Sequence, residues 1–171
     1  DTEVLLKCFE IFGIKKTFSL INGMFAIALW DSLDQKMYIA RDRIGEKPLY
    51  YFINSNTIVF SSELKSFNTI KSIDLKISDL STKNYFKYGY IKSPHTIFEN
   101  IYQVEPGNYL KIETKKNNFY ENIKYWDIKN DSFLSMDYND IKHNLYKNIE
   151  NSVKTRMYAD VSMGSFLSGG Y

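Results

Sequence analysis

Two stretches of this chain hold residue types whose spacing could do chemistry. Ser168-Gly169-Gly170 closes an extended, partly apolar run from Ala159 to Leu167. Adjacent glycines let a backbone turn sharply and bring its N–H groups close to a bound anion. A helix after such a turn would add positive potential for a phosphate, but Tyr171 is the last residue. No Gly-Lys-Ser/Thr accompanies the pair, so it is not a Walker loop. The second stretch is Arg41-Asp42-Arg43-Ile44-Gly45-Glu46-Lys47-Pro48. On an extended strand Arg41 and Arg43 share one face and Asp42 takes the other. Paired arginines could capture a carboxylate or a phosphate. The alternative is an ion-pair network stabilising a strand–turn–strand unit, and the residue physics favours it.

Other reactive side chains offer less. Cys8 sits among Leu5, Leu6, Phe9 and Phe12, a setting for a small packed thiol rather than for the electropositive, accessible site a nucleophile wants. His95 and His143 are far apart, and with one cysteine they provide no metal-ligand spacing. No Ser-His-Asp arrangement assembles.

The elements that would position these groups follow from pattern. Asp1 or Thr2 caps a helix through Phe12, with Gly13 at its C-terminal turn. The unbroken apolar run Met24 to Trp30 predicts a strand buried on both faces. In the next strand, Lys36 to Arg43, Met37, Ile39 and Arg41 alternate with Tyr38, Ala40 and Asp42. Leu49 to Phe52 and Thr57 to Ser61 are strands joined by a turn at Asn54-Ser55-Asn56. A short helix begins at Ser62, and a second runs from its cap Ser78 to Gly89. Glu105-Pro106-Gly107-Asn108 reads as a type II turn into the strand Tyr109 to Ile112, and Asn117-Asn118 as a turn into a strand carrying Tyr120 to Trp126. Polar residues from Asn130 to Asn139 mark a domain boundary. Beyond it Ile141, Leu145, Ile149, Val153 and Met157 recur every four residues, one apolar stripe on a long helix. Helix, buried strand and glycine turn in that order open an α/β nucleotide-binding domain.

Composition sets bounds. A net charge of +2 is too small to argue for nucleic acid or a membrane surface. One cysteine excludes an internal disulfide framework and suits a reducing, cytoplasmic setting. The longest apolar run, Met24 to Trp30, is far short of a membrane span. An Asp at position 1 and a glycine turn at the other end point to a piece of a longer protein.

Several segments in one order resemble a single family. They are Asp1 to Leu6, Asn22 to Ala26, Ala40 to Tyr51, Ser62 to Lys65, Thr96 to Phe98, Pro106 to Leu110, Tyr125 to Asp127 and Asp160 to Gly170. The chain resembles the glutamine-hydrolysing asparagine synthetases along essentially its whole length. The resemblance implies a ligase in which a class II glutamine amidotransferase domain is joined to an ATP-pyrophosphatase-type synthetase domain. An N-terminal cysteine would hydrolyse glutamine, its own amine serving as base. The ammonia would pass to aspartate activated as an acyl-adenylate, with ATP and Mg²⁺ as cofactors.

Residues 1–129 would then be the distal part of the amidotransferase domain, an α+β antiparallel sandwich, and 130–171 the start of an α/β nucleotide-binding domain. Asp1 aligns with the residue that holds the α-amino group of glutamine, and Leu167, Ser168, Gly169 and Gly170 with the start of the ATP loop. No catalytic or metal-binding residue is expected within the chain. The nucleophilic cysteine, the oxyanion hole and the carboxylate-binding arginine belong upstream of Asp1, and an Asp-Ser completing the ATP loop belongs after Tyr171. The partners implied are glutamine, aspartate and ATP, with a homodimer of the parent compatible and neither nucleic acid nor membrane involved. The chain alone is expected to be inactive in both half-reactions. Two other readings stand beside this one: a relative acting on another carboxylate in secondary-metabolite or polysaccharide biosynthesis, and a non-catalytic binding or assembly protein that keeps the fold.

Overall fold

Successive side chains of a strand point to opposite faces, and in β2, Lys36–Arg41, both faces find an apolar layer. Met37 and Ile39 pack with Leu49, Tyr51, Leu110 and Ile112. Tyr38 and Ala40 pack with Phe9, Phe18 and Tyr109. The computed structural model describes residues 1–128 and 136–169, and the chain divides into two compact units, Asp1–Ile128 and Lys129–Tyr171.

In the first unit α1, Thr2–Leu20, precedes β1 (Ala26–Asp31), β2, β3 (Tyr50–Ile53) and β4 (Ile58–Ser61). A 3₁₀ helix, Leu64–Thr69, leads to α2 (Asp79–Tyr88), and β5 (Tyr102–Gln103), β6 (Asn108–Glu113) and β7 (Phe119–Lys124) follow. All pairings are antiparallel, in a four-stranded sheet ordered β1-β2-β6-β7 and a three-stranded sheet ordered β4-β3-β5. Ile39 faces Ala28 on one side and Leu110 on the other. Tyr51 and Ile53 of β3 turn toward the cluster around Ile39, whereas Tyr50 and Phe52 pack with Phe67, Ile73 and Ile101. Helix α1 supplies Phe9 and Phe18 to the opposite cluster. Antiparallel sheets with helices are compatible with the α+β class expected from the sequence.

Local chemistry sets most turns. Ser78 Oγ accepts from the N–H of Ser81 at 3.2 Å, and Gly89 closes α2 at φ +78°. Gly107 takes φ +69° in the turn before β6, where Asn108 N–H reaches Glu105 O at 3.2 Å. Asn117 and Asn118 both adopt positive φ before β7, the pattern of a type I′ turn.

Two expectations about elements of the first unit needed correction. Gly13 leaves helical geometry at φ +72°, ψ 174°, but helix resumes beyond it and α1 extends to Leu20. The reason is tertiary. Thr17 and Phe18, both 0% exposed, anchor the second half, with Phe18 5.2 Å from the Phe9 ring and 5.0 Å from Tyr109. The Thr17 hydroxyl donates to Cys8 O across the kink at 2.9 Å. Thr17→Val keeps the shape and removes this bond, so urea denaturation should show a loss of about 1 kcal/mol. The second correction concerns β1, which is not buried on both faces. Its residues alternate exposed and half-buried, Trp30 being 44% exposed, and among the described residues it pairs with β2 alone. An apolar run reports hydrophobicity, not the number of layers around it.

In the second unit Asp137 caps α3, Tyr138–Arg156, its side chain accepting from Asn139 N–H at 2.9 Å. The stripe Ile141, Leu145, Ile149 and Val153 forms on this helix and is exposed. The strand expected over Ala159 to Leu167 is absent, since residues 157–169 hold no regular element. A strand needs a neighbour for its N–H and C=O groups, and the described residues of this unit supply none.

Candidate functional site

The turn after β2 is built around one carboxylate. Asp42 is 1% exposed. Its Oδ1 accepts from the N–H groups of Ile44, Gly45 and Glu46 at 3.2, 2.8 and 2.9 Å. Its Oδ2 accepts from Lys47 at 2.9 Å and, at a longer 3.4 Å, from Phe25. The Asp42 N–H in turn donates to Phe25 O at 3.0 Å, and its carbonyl accepts from Gly107 N–H at 2.9 Å. Burial alone would raise the Asp42 pKa. The four amides of Lys47, Glu46, Gly45 and Ile44 outweigh burial and hold the carboxyl below the ordinary range.

The two arginines brace different main-chain segments, Arg41 this turn and Arg43 the end of α1. Arg41, 8% exposed, donates from Nε to Lys47 O at 2.8 Å, from Nη2 to Gly45 O at 2.6 Å, and from Nη1 to Val104 O at 3.1 Å and Gln103 Oε1 at 3.3 Å. Arg43 Nη2 donates to Ser19 O and Ile21 O at 3.3 and 3.2 Å, and its guanidinium lies 5.9 Å from the Trp126 ring. The Tyr125 hydroxyl donates to Arg41 O at 2.7 Å. The block is therefore scaffold, as its residue physics suggests. Arg41, Asp42 and Arg43 meet mainly main-chain groups rather than the ion pairs the sequence led us to expect.

This turn forms part of a cleft of about 890 Å³. Lys47 and Pro48 line it together with the segment from Ile21 to Ile27, the first turns of α1 and Ser62. Asp1 is the one carboxylate and Lys47 the one cation among the described lining residues. The Asp1 side chain also caps α1, Oδ1 accepting from Thr2 N–H at 2.7 Å and the Thr2 hydroxyl at 3.3 Å. A concave, mostly apolar site with a few charged groups suits a small polar ligand.

The sequence-predicted residues fall in two places. Asp1 lines the cleft. Leu167, Ser168 and Gly169 lie exposed in the second unit, with Gly169 at φ +74°, and Gly170 lies outside the described residues. Cys8 lines the same cleft but sits half-buried inside α1, its carbonyl holding Thr17. His95 packs near Tyr102, 6.3 Å between ring centroids. Among the described residues no group of three His, Cys, Asp or Glu could hold a metal ion, and no helix is long and apolar enough to cross a membrane. Sequence reasoning missed Asn22, Gly23, Lys47 and Ser62 as cleft residues. The signal was present, since each belongs to one of the ordered motifs, but only folding brings those motifs to one cleft.

Comparison with known proteins accords with this geometry. Residues 1–126 match the family described as glutamine amidotransferase domain. The chain is 35% identical to the protein named putative asparagine synthetase (glutamine-hydrolyzing) 2 of Methanocaldococcus jannaschii, over 99% of this chain and 33% of that protein. It is 33% identical to asparagine synthetase (glutamine-hydrolyzing) 1 of Bacillus subtilis, over 99% of this chain and 26% of that protein. Amidase chry2 of Gibberella zeae is 30% identical over 99% of this chain and 25% of its own length. The chain thus spans a quarter to a third of the length of these relatives. With the match running from the cap of α1 past the end of β7, the chain belongs to the glutamine amidotransferase domain family.

Proposed function

We propose that this chain is part of an ATP-dependent asparagine synthetase that hydrolyses glutamine and transfers the ammonia to activated aspartate. The observation that supports it most directly is the placement of Asp1 in a cleft whose other described charge is Lys47. A carboxylate is the right partner for the ammonium of an amino acid. Asp1 binds and orients the α-amino group of glutamine, and the apolar walls exclude water from around the substrate's methylenes.

Leu167, Ser168, Gly169 and Gly170 would contact ATP. The left-handed Gly169 fits a turn that presents N–H groups to phosphate oxygens. When bound, ATP with Mg²⁺ supplies carboxylate activation, the metal neutralising the departing pyrophosphate. A second reading, amide transfer to a carboxylate other than aspartate, is favoured by one observation: two fungal relatives at 30% identity are named amidases rather than synthetases.

The test is Asp1→Asn in the longer protein to which this chain is assigned. The neutral amide can still cap α1 but no longer pairs with an ammonium. Steady-state assays should show KM for glutamine raised about tenfold, a loss near 1.4 kcal/mol, with ammonia-dependent synthesis unchanged. An unaltered KM would remove Asp1 from the glutamine site. Synthesis from a carboxylate other than aspartate would select the second reading.

A further inference from the structure

We infer that Asp42 is a positioning residue for the glutamine cleft, a single buried carboxylate tying together the two walls between which the substrate sits. The inference rests on the assignment of the cleft to glutamine. Asp42 does not line the cleft, but residues bonded to it do. Phe25 belongs to one lining segment and Lys47 to the other. The N–H groups of both converge on one atom, Asp42 Oδ2, at 3.4 and 2.9 Å. Phe25 is gripped a second time through its carbonyl by the Asp42 N–H at 3.0 Å.

The two carboxylate oxygens thus have separate tasks. Oδ1 gathers the amides of Ile44, Gly45 and Glu46 and shapes the turn. Oδ2 spans from that turn to the segment before β1 and sets the distance between the walls. The site is rigid around it. Arg41 fixes the carbonyls of Gly45 and Lys47 from the other side, and the Phe25 ring packs 6.5 Å from Phe18 and 6.4 Å from Tyr125. A small substrate is held by contacts with both walls, so a change in their separation weakens its binding.

This division makes Asp42→Asn a selective probe. The asparagine amide can leave its oxygen at the Oδ1 position, where three donors point, and so keep the turn. Its NH₂ then occupies the Oδ2 position and meets the Phe25 and Lys47 N–H groups donor to donor. A second variant, Phe25→phenyllactic acid, keeps the ring and replaces only the amide N–H by an ester oxygen. It removes one bond and should fold even if Asp42→Asn does not.

Both are assayed in the longer protein for glutamine hydrolysis and for ammonia-dependent synthesis. The expected result is KM for glutamine raised about tenfold in Asp42→Asn and about threefold in the ester variant. The kcat for hydrolysis and the ammonia-dependent rate should stay within about twofold of wild type. General destabilisation would lower all of these rates together through the loss of active protein. An active wild type with an unchanged KM in the ester variant overturns the inference alone. A wild-type protein that hydrolyses no glutamine overturns the assignment of the cleft and the inference with it.

Discussion

Asp42→Ala should cost the sandwich unit about 4 kcal/mol or more at neutral pH, among the largest losses a single substitution produces. The side chain is 1% exposed, and five main-chain N–H groups converge on its two oxygens. Alanine removes five bonds to an ionised acceptor. Although Ile44, Glu46 and Lys47 are exposed residues, about 1 kcal/mol for each bond accounts for a loss of this size. Urea denaturation of the 171-residue chain, followed by tryptophan fluorescence, measures it. Both tryptophans, Trp30 and Trp126, lie in the first unit.

The same residue predicts a pH dependence. The folded-state pKa of Asp42 is depressed because its amide bonds outweigh the burial that opposes them. Its stabilisation is therefore full above the unfolded value of about 4 and is lost as pH falls through the folded value. Asp34, Glu113 and Asp127 are also lowered, by Lys36, by Lys116 with Lys111, and by Lys124 respectively. These groups are common to wild type and variant, so they cancel in the difference. The gap between Asp42→Ala and wild type should be constant from pH 7 to about 5 and narrow below about 4. A gap independent of pH down to 3 would mean that the ionised carboxylate is not what holds the turn.

Gly45→Ala is the second large effect, expected at about 2–4 kcal/mol. Gly45 has φ +76°, where an L-residue pays about 1–2 kcal/mol against the following carbonyl. Space adds the rest. A Cβ there would lie 2.9 Å from Pro106 Cγ, 3.0 Å from Arg41 Cζ and 3.1 Å from Arg41 Nε. The Arg41 guanidinium cannot step aside, since four hydrogen bonds hold it to Gly45, Lys47, Gln103 and Val104. Gly89→Ala is the control, because it shares a positive φ of +78° and has nothing within 4 Å of the added methyl. Strain alone should make Gly89→Ala cost about 1–2 kcal/mol. Equal losses at the two positions would show that the packing around Arg41 yields.

Much of this protein is set by residue type and spacing. Alternation in β2, the Ser78 cap, Gly89, the Pro106-Gly107 turn and the Asn117-Asn118 turn are local, because each depends on backbone preferences within a few residues. The repeat from Ile141 to Val153 makes α3 an amphipathic helix for the same reason. The ordered motifs likewise carry the family, since their order along the chain is itself sequence information. Other features have no local signal. That Gly13 interrupts α1 without ending it depends on Phe18 packing against Tyr109, far along the chain, and on Thr17 bonding back to Cys8 across the kink. That β1 stands at the edge depends on which strands pair. Arg41, Asp42 and Arg43 read as part of a cluster seeking opposite charge, but they meet carbonyls and amides at positions such as Val104, Ser19 and Phe25. Main-chain groups are the same at every residue and leave no trace in the alphabet. Only the tertiary structure decides which of them a buried carboxylate or guanidinium will meet, and that choice brings Asp1, Phe25 and Lys47 around one cleft.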